Sequence, residues 1–326
     1  MAEITLVEAV TLALARAMAE DENVVVLGED VGVNGGVFRA TAGLQERFGA
    51  DRVLDTPLAE ALIGGLCVGM AAQGLKAVGE IQFMGFMYPC IDQLVNHASR
   101  LRNRTRGRIS VPMVLRMPTG AGIRAPEHHS ESTEAMLTHI PGLRVVIPSS
   151  PARAYGLLLA AIRDPDPVVF LEPTRLYRSI KEDVADDGQA LPLDTAFRLR
   201  EGRDATIVTW GAAIRESLAA ADELEKVGVS VDVIDLATLK PYDEETILSS
   251  VKKTGRCVIV HEAARTGGLG GEIAACVAER GLLSLLAPIE RVTGYDTVVP
   301  LPKLEQHYMP SIERIVAAVR RSVAFG

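Results

Sequence analysis

The segment Asp55-Thr56-Pro57-Leu58-Ala59-Glu60 ends in a carboxylate at the start of an apolar helix. Pro57 marks a strand-to-helix junction, and the apolar spacing after Glu60 predicts a largely buried helix. A carboxylate in such a first turn is either a surface acid near the positive end of the helix dipole or a functional acid. Burial raises the pKa of a functional acid towards neutrality, where it can shuttle protons. The spacing alone leaves both interpretations open.

A second acidic pair, Glu29 and Asp30, directly follows the apolar run Val24-Val25-Val26-Leu27-Gly28. The carboxyl ends of parallel strands line the ligand clefts of open α/β sheets. The pair is therefore a candidate for the wall of such a cleft, with a solvated loop as the alternative.

The segment GAGIRAPEHHSES (120–132) contains two of the six histidines in the chain, together with glycines, serines and glutamates. This composition between strand-like runs is typical of a functional loop, and a histidine there can act as an acid or base near neutral pH. A polar surface loop with incidental histidines is the alternative. The pattern does not say whether His128 or His129 points inward.

A glycine-rich segment, GGLGGE (267–272), is a weaker candidate for binding an anion. It fits neither the dinucleotide fingerprint nor a P-loop, which needs a lysine followed by serine or threonine. We expect a tight turn that opens a packed helix.

Short apolar runs that alternate with helical stretches predict the framework for these residues. Continuous apolar strands of this kind are typical of a parallel sheet covered by helices on both faces. The polar stretch from Ile180 to Leu193 predicts a linker, and a second alternation starts near Ala205. We expect an α/β fold with an N-terminal domain over 1–185, a linker over 186–200 and a C-terminal domain over 201–326.

The formal net charge of −8 argues against a nucleic-acid or acidic-membrane surface. The N-terminus has no basic signal region, and the most apolar windows are too short to span a bilayer. The four cysteines form no C-x-x-C pair, which favours a reducing compartment. These features predict a cytoplasmic protein that handles small molecules.

The sequence resembles the beta subunits of thiamine-diphosphate-dependent 2-oxo acid dehydrogenases in six blocks: GEDVGVNGGVFRATAGL (28–44), DTPLAEALIGGLCVGMA (55–71), EIQFMGFMYPCIDQ (80–93), HHSES (128–132), IRDPDPVVFLEP (162–173) and KTGRCVIVHEA (253–263). The resemblance implies a transketolase-like architecture of two domains, each with a mainly parallel sheet flanked by helices. It also implies an α2β2 heterotetramer with an E1 alpha subunit, and a docking surface for the E2 acyltransferase.

In this family, thiamine diphosphate lies between an alpha and a beta subunit. The alpha subunit holds Mg²⁺ and the diphosphate through a GDG…N motif, and the present sequence contains no GDG. The resemblance therefore implies that this chain supplies half of the site and acts only with an alpha subunit.

The resemblance assigns Glu60 to the catalytic acid that hydrogen bonds the aminopyrimidine of the cofactor and so helps to activate the thiazolium ring. Phe86 matches an aromatic residue that packs on the pyrimidine, and Leu58 borders the cofactor. Glu29 resembles an acid of a proton path between two active sites. Pro89 occupies the position of another acid of that path, so the path is only partly matched.

The resemblance also assigns His129 to the histidine that assists acyl transfer to the lipoyl group of E2, and leaves His128 as structural. Asp164 and Asp166 match a monovalent cation site, for example for K⁺, with an Asp-Pro-Asp-Pro turn as the alternative. The main-chain atoms of that site come from Met113, Ala161 and Ile162.

Three functions stay open for a chain of this family. Phe86 and its neighbours favour pyruvate as the 2-oxo acid, and the branched-chain and acetoin enzymes are close alternatives. A hydrophobic pocket separates acyl chains by only about 1–3 kcal/mol per methylene. A non-catalytic assembly protein on the same fold is the third possibility, and the presence of Glu60 and His129 argues against it.

Overall fold

The computed structural model describes residues 2–325 and divides into two compact units. The first unit runs to Thr119 and resumes over Met136–Leu193, while the second contains Gly120–Ala135 and continues from Asp194. The change of unit after Leu193 lies inside the predicted linker over 186–200. The predicted domain over 1–185 is continuous, whereas Gly120–Ala135 packs with the second unit. This difference matters because the segment carries His129.

The first unit contains a parallel sheet and a short antiparallel pair. Its strands are β1 (Ala2–Thr5), β2 (Val24–Gly28), β3 (Val53–Asp55), β4 (Lys76–Glu80), β5 (Met113–Thr119), β6 (Arg144–Val146), β7 (Val168–Pro173) and β8 (Lys181–Val184). Parallel strands run in the order β6–β7–β5–β4–β2–β3, and β1 pairs antiparallel with β8. All residues of β2, β5 and β7 are buried, as expected for strands with helices on both faces.

Helices follow the strands of this unit: α1 (Leu6–Glu20), α2 (Leu44–Phe48), α3 (Glu60–Ala72), α4 (Ser99–Arg104), α5 (Glu134–Thr138) and α6 (Pro151–Arg163). Thr5 and Glu8 form a capping box that starts α1. The stretch over 91–104 has a helical pattern but is not one α-helix. A 3₁₀ helix, Met84–Cys90, and a π-helix, Gln93–Ala98, precede α4. Apolar spacing in the sequence does not distinguish these helix types from an α-helix.

The second unit repeats the α/β alternation. Its strands are β9 (Phe197–Arg200), β10 (Ala205–Thr209), β11 (Val231–Asp235), β12 (Thr238–Lys240), β13 (Cys257–Val260) and β14 (Glu290–Val292). The sheet order is β14–β13–β10–β11–β9, with β9 antiparallel to its neighbour. Strand β9 lies inside the predicted linker and belongs to this sheet instead.

The helices of the second unit are α7 (Ile214–Glu225), α8 (Glu244–Thr254), α9 (Leu269–Arg280), α10 (Glu305–Tyr308) and α11 (Ile312–Val323). Helices α7 and α11 pack on β10, β11 and β13 to form a buried apolar core. The Ser311 side chain caps α11 by accepting a hydrogen bond from the Arg314 amide. Within residues 2–325, every helix falls short of the length and hydropathy that crossing a membrane requires.

Candidate functional site

Three predicted site residues follow the carboxyl ends of adjacent parallel strands in the first unit. Glu29 comes directly after β2, Glu60 follows β3, and Phe86 follows β4. Strand β2 lies between the other two, so these segments share one edge of the sheet. The Gly32 amide donates to Asp55 Oδ1 at 2.7 Å and ties the segment after β2 to the end of β3.

Glu29 is a buried acid beside Glu60. Its side chain is 6% exposed, and its Oε1 atom makes no hydrogen bond to any described residue. Burial raises the pKa of Glu29, the negative charge of Glu60 adds to this effect, and a hydrogen bond from the Ala59 backbone opposes it. The charge of Glu60 therefore acts on the buried carboxyl group of Glu29.

Glu60 is the first residue of α3 and is partly exposed. The expectation of a largely buried helix is wrong for this chain, because Leu62 is 42% exposed and the preceding Leu58 is 81% exposed. Apolar spacing cannot distinguish a helix enclosed by its own chain from one with an open apolar face. The buried face of α3 consists of Ile63, Gly64, Cys67 and Ala71.

Phe86 stands at the end of a row of aromatic rings. Its ring centroid lies 5.6 Å from that of Phe83, which lies 5.4 Å from Phe38, and both pairs meet edge to face. Phe38 in turn lies 5.0 Å from Tyr177. Edge-to-face contacts are favourable for aromatic pairs. The row therefore links the segment after β4, which carries Phe86, to the segments after β2 and β7.

Tyr177 also joins a buried ionic network at the ends of β4, β5 and β7. Arg116 donates to both carboxylate oxygens of Glu172, at 2.8 and 2.6 Å, and to Glu80. The Tyr177 hydroxyl donates to Glu172 at 2.5 Å. Burial raises the pKa of Glu80, and the charge of Arg116 opposes that rise. These residues are not among the candidates from the sequence, although charged residues within apolar strands are a signal for such a network.

Replacing Arg116 by methionine is expected to lower the free energy of unfolding by about 3–5 kcal/mol, because two buried carboxylates lose their shared cation. Denaturant-induced unfolding at neutral pH measures the loss. Arg321→Met is the control, since Arg321 binds Glu290 at the surface, and we expect a loss below about 1 kcal/mol. Equal losses in both variants would show that the network does not stabilise the strand edge.

The second unit contains Gly120–Ala135, which we term the histidine segment. His128 is exposed and His129 is partly buried, within a 3₁₀ helix over Glu127–His129. The His129 amide donates to the Pro126 carbonyl at 2.9 Å, and the Ser130 hydroxyl donates to the same carbonyl at 3.2 Å. The more enclosed histidine is therefore His129, a choice that the sequence pattern leaves open.

Two carboxylates bind backbone amides at the start of the histidine segment. Glu262 accepts a hydrogen bond from the Ala121 amide at 2.5 Å. Glu305, only 2% exposed, accepts from the Gly122 amide at 2.8 Å and the Arg124 amide at 3.3 Å. The sequence analysis selected neither acid. Glu262 could be found from the sequence because it lies just after an apolar strand.

At the other end of the segment, Glu134 is 3% exposed and accepts a hydrogen bond from Trp210 Nε1 at 3.2 Å. Burial raises the pKa of Glu134 to about 7, while hydrogen bonds to its own backbone and to Trp210 act in the opposite direction. Trp210 stacks on His261 with ring centroids 5.0 Å apart. The end of the segment is therefore anchored through a buried, titratable acid.

His261 is a buried histidine that packs against Trp210. It is fully buried, and burial, followed by the charge of Arg291, lowers its pKa to about 4. The Ala263 backbone lies near the ring, but neither ring nitrogen makes a hydrogen bond of good geometry to a described residue. A Cβ atom at Gly268 or Gly270 would lie 2.8 or 2.6 Å from the ring. The expected tight turn before a packed helix is thus confirmed, and the helix is α9.

The raised pKa of Glu134 gives a pH-dependent contribution to stability. An acid whose folded pKa is raised stabilises the fold below its ordinary value of 4.5, and this contribution is lost as pH rises to about 7. Relative to Glu134→Gln, we expect the wild type to lose about 3 kcal/mol of unfolding free energy between these pH values. Denaturant titrations at pH 4.5 and 8 measure the difference. Glu127→Gln, in the same segment, controls for losing an exposed carboxylate, and identical pH profiles for Glu134→Gln and wild type would contradict the prediction.

The predicted cation-site residues lie at the opposite ends of the strands. Met113 begins β5, and Asp164 and Asp166 lie in the turn between α6 and β7. Ala161 and Ile162 belong to the last turn of α6. These residues are therefore separate from the edge that carries Glu29 and Glu60.

Both aspartates of this turn pair with arginines. Asp164 lies 3.1 Å from Arg144 Nε, and Asp166 lies 2.5 Å from Arg102 Nε. The Asp166 amide also donates to Asp164 Oδ1 at 2.8 Å, as in an Asx turn. Over residues 2–325, His, Cys, Asp and Glu side chains form no group of three or more suited to a metal ion. The cation site stays a prediction.

Comparisons with known proteins agree with this architecture. The model of the transketolase pyrimidine binding domain matches residues 2–180, and that of the transketolase C-terminal domain matches residues 194–315. A split gene transketolase, described as an inactive beta4 tetramer, superposes with a TM-score of 0.81 at 22% identity, with 99% of each chain covered. The predicted transketolase-like fold is confirmed.

Relatives of known name cover the whole length of the chain. It is 52% identical to the pyruvate dehydrogenase E1 component subunit beta of Acholeplasma laidlawii over 98% of both chains. It is 48% identical to the protein of that name from Bacillus subtilis (strain 168) over 100% of both chains. The predicted resemblance is thus confirmed, and the chain belongs to the family of E1 beta subunits of 2-oxo acid dehydrogenases.

Proposed function

We propose that this chain is the beta subunit of a pyruvate dehydrogenase E1 component and supplies half of a thiamine diphosphate site. The observation that carries the proposal is the grouping of Glu29, Glu60 and Phe86, which follow the carboxyl ends of the adjacent strands β2, β3 and β4, respectively. The names of relatives about half identical over the full length support pyruvate as the substrate. In this proposal, the chain acts with an alpha subunit in an α2β2 heterotetramer.

The residues at this strand edge fit the aminopyrimidine end of the cofactor. Leu58 and Phe86 offer exposed or partly exposed apolar surface to a flat ring, and Glu60 offers a partly exposed carboxylate to a ring nitrogen. The diphosphate and Mg²⁺ need a different set of groups, and the sequence has no GDG motif. We therefore assign those groups to the alpha subunit.

When bound, thiamine diphosphate supplies a thiazolium ring that accepts the electron pair released as CO₂ leaves a 2-oxo acid. Glu60 would hydrogen bond a nitrogen of the aminopyrimidine and exchange a proton with it. Because the pKa of Glu29 is raised, its neutral form persists to higher pH and places less negative charge beside Glu60. Phe86, fixed by Phe83, orients the ring and excludes water from that side.

The second unit contributes the step that follows decarboxylation. We assign to His129 the proton transfer that assists movement of the acyl group to the lipoyl group of E2. The partial burial of His129, in contrast to exposed His128, supports this choice. We do not assign this proton transfer to His261, which is fully buried and whose pKa is lowered by burial.

A decarboxylation assay tests the proposal. The chain is coexpressed with its presumptive alpha subunit and given thiamine diphosphate, Mg²⁺ and an artificial electron acceptor, with pyruvate and 2-oxoisovalerate compared. We expect activity in the pair only, with pyruvate as the better substrate. Preference for 2-oxoisovalerate would make it a branched-chain enzyme. A well-folded pair inactive with both would redirect the assignment to acetoin cleavage or a non-catalytic assembly role.

The cation site at Asp164 and Asp166 has a separate test. If K⁺ binds there, the melting temperature of the heterotetramer rises with KCl and not with choline chloride at equal ionic strength. Equal melting temperatures in the two salts would favour the plain turn, in which the arginines already neutralise both carboxylates.

A further inference from the structure

We propose that Glu262 and Glu305 are positioning residues that hold the histidine segment in the shape acyl transfer requires. The proposal rests on the function proposed for His129. Neither acid is assigned a contact with substrate or cofactor, and each acts through the backbone of the segment.

The start of the histidine segment has the geometry of an anion-binding backbone. Gly120 and Gly122 have positive φ angles of 90° and 98°, and Arg124 has a φ of 60°. Left-handed residues interspersed along a chain turn successive amides towards a common side, where they bind an anion. Here the amides of Ala121, Gly122 and Arg124 all donate to side-chain carboxylates. The segment is thus folded around two anions that the protein itself supplies.

Position 120 also requires glycine for a steric reason. A Cβ atom there would lie 3.0 Å from Glu262 Oε1, a tight contact added to the unfavourable positive φ. Arg124 has a side chain and still adopts the left-handed conformation, which such residues rarely do. The hydrogen bond from its amide to Glu305 offsets that preference. Without the carboxylates, the start of the segment would relax to other conformations.

Both acids stand on fixed parts of the second unit. Glu262 lies two residues after the end of β13, and its neighbours bond to the end of β14 and the residues after it. The His261 amide donates to the Val292 carbonyl at 3.1 Å, and the Gly294 amide donates to the Ala263 carbonyl at 3.0 Å. Glu305 begins α10, whose Tyr308 packs with Ala121 in a small buried cluster. The rigid sheet edge and α10 therefore set the position of the segment.

His129 lies between two anchored ends. The carboxylates hold the residues up to Arg124, and Trp210 holds Glu134 at the far end. Hydrogen bonds from backbone amides to ionised acceptors are stronger than those between neutral groups. Loss of either carboxylate should therefore displace or loosen His129 while its side chain stays unchanged.

Hydrogen–deuterium exchange on the intact heterotetramer tests the structural half of the proposal. Glu262→Ala should accelerate exchange at the Ala121 amide, and Glu305→Ala at the Gly122 and Arg124 amides, by roughly 10- to 100-fold each. Glu262→Gln and Glu305→Gln keep an acceptor oxygen and should restore much of the protection. They also keep the test open if an alanine variant fails to fold.

Two activity assays test the functional half. Acyl transfer to a lipoyl domain should fall at least about tenfold in the alanine variants, while decarboxylation with an artificial acceptor stays within about twofold. Asp204→Ala is the matched control, because Asp204 also accepts a backbone hydrogen bond, from Ser230 at 2.7 Å, but precedes β10 at the opposite strand edge. It should change neither assay.

The outcomes separate this proposal from the one on which it rests. If His129→Ala leaves acyl transfer unchanged, the role of His129 is wrong. If His129→Ala lowers transfer but the Glu262 and Glu305 variants exchange faster without losing transfer, the positioning role is overturned. Unchanged exchange in both alanine variants would overturn it as well, as would transfer and decarboxylation falling together in the glutamine variants.

Discussion

Replacing Glu60 by glutamine is expected to lower the rate of 2-oxo acid decarboxylation by about 10²- to 10⁴-fold, the usual contribution of general acid–base catalysis. Glutamine has nearly the same size and keeps a carbonyl oxygen, but it cannot hold and release the proton that the aminopyrimidine needs. The measurement is kcat with an artificial electron acceptor in the heterotetramer. Thiamine diphosphate affinity, measured in parallel, separates loss of chemistry from loss of binding.

Glu46→Gln is the matched control, because Glu46 is also an acid in the first turn of a helix of the first unit and is exposed. Its rate should equal that of the wild type. Decarboxylation by Glu60→Gln at close to the wild-type rate would contradict the catalytic assignment, whatever the fold and family of the chain.

The adjacent acid makes the Glu60 result more informative. The pKa of Glu29 is raised by burial and by the charge of Glu60. Removing the charge of Glu60 takes away one of these causes, so the pKa of Glu29 should fall towards its ordinary value. Glu60→Gln is therefore expected to lower the pKa of Glu29 as well.

Replacing His129 by alanine is expected to reduce acyl transfer to a lipoyl domain by about 10²-fold or more, with a much smaller effect on decarboxylation. We expect the effect on decarboxylation to be small because the segment that carries His129 packs with the second unit, whereas the catalytic acid Glu60 belongs to the first. A single-turnover assay of lipoyl acylation measures the change.

His128→Ala is the control, since the neighbouring histidine in the same 3₁₀ helix is exposed. It should transfer acyl groups at nearly the wild-type rate. The assignment of His129 would be wrong if the two variants behaved alike. A loss of decarboxylation in Glu60→Gln, together with a loss of acyl transfer but not of decarboxylation in His129→Ala, would assign the two half-reactions to different residues of the chain.

Much of the framework is readable in the amino-acid order alone. Strand β10 begins at Ala205, where the second alternation is predicted to start, and Thr5, Asp243 and Ser311 cap helices through their side chains. These features depend on residues within one turn or one strand of each other, so local hydrophobic runs and capping side chains contain the necessary information. Long matching blocks also identified the family, a conclusion that the full-length relatives confirm.

The relations between distant residues were decided only by the tertiary structure. Arg116 meets Glu80 and Glu172 across 36 and 56 residues of chain, and Glu262 meets Ala121 across 141. No local pattern encodes such pairs, because each depends on strand order and on loops that return to the same sheet edge.

Local sequence patterns also do not encode the exposure of α3 or the placement of the histidine segment. Apolar spacing identified α3, but whether its second apolar face is covered depends on what packs against it, and in this chain Leu62 remains exposed. The sequence by itself determined the elements, the family and the candidate acids. Tertiary packing decided that Glu29 is buried beside Glu60, that His129 is the enclosed histidine, and that its segment is held by Glu262 and Glu305. Local order follows from short-range interactions, whereas burial and charge pairing arise only when distant segments meet.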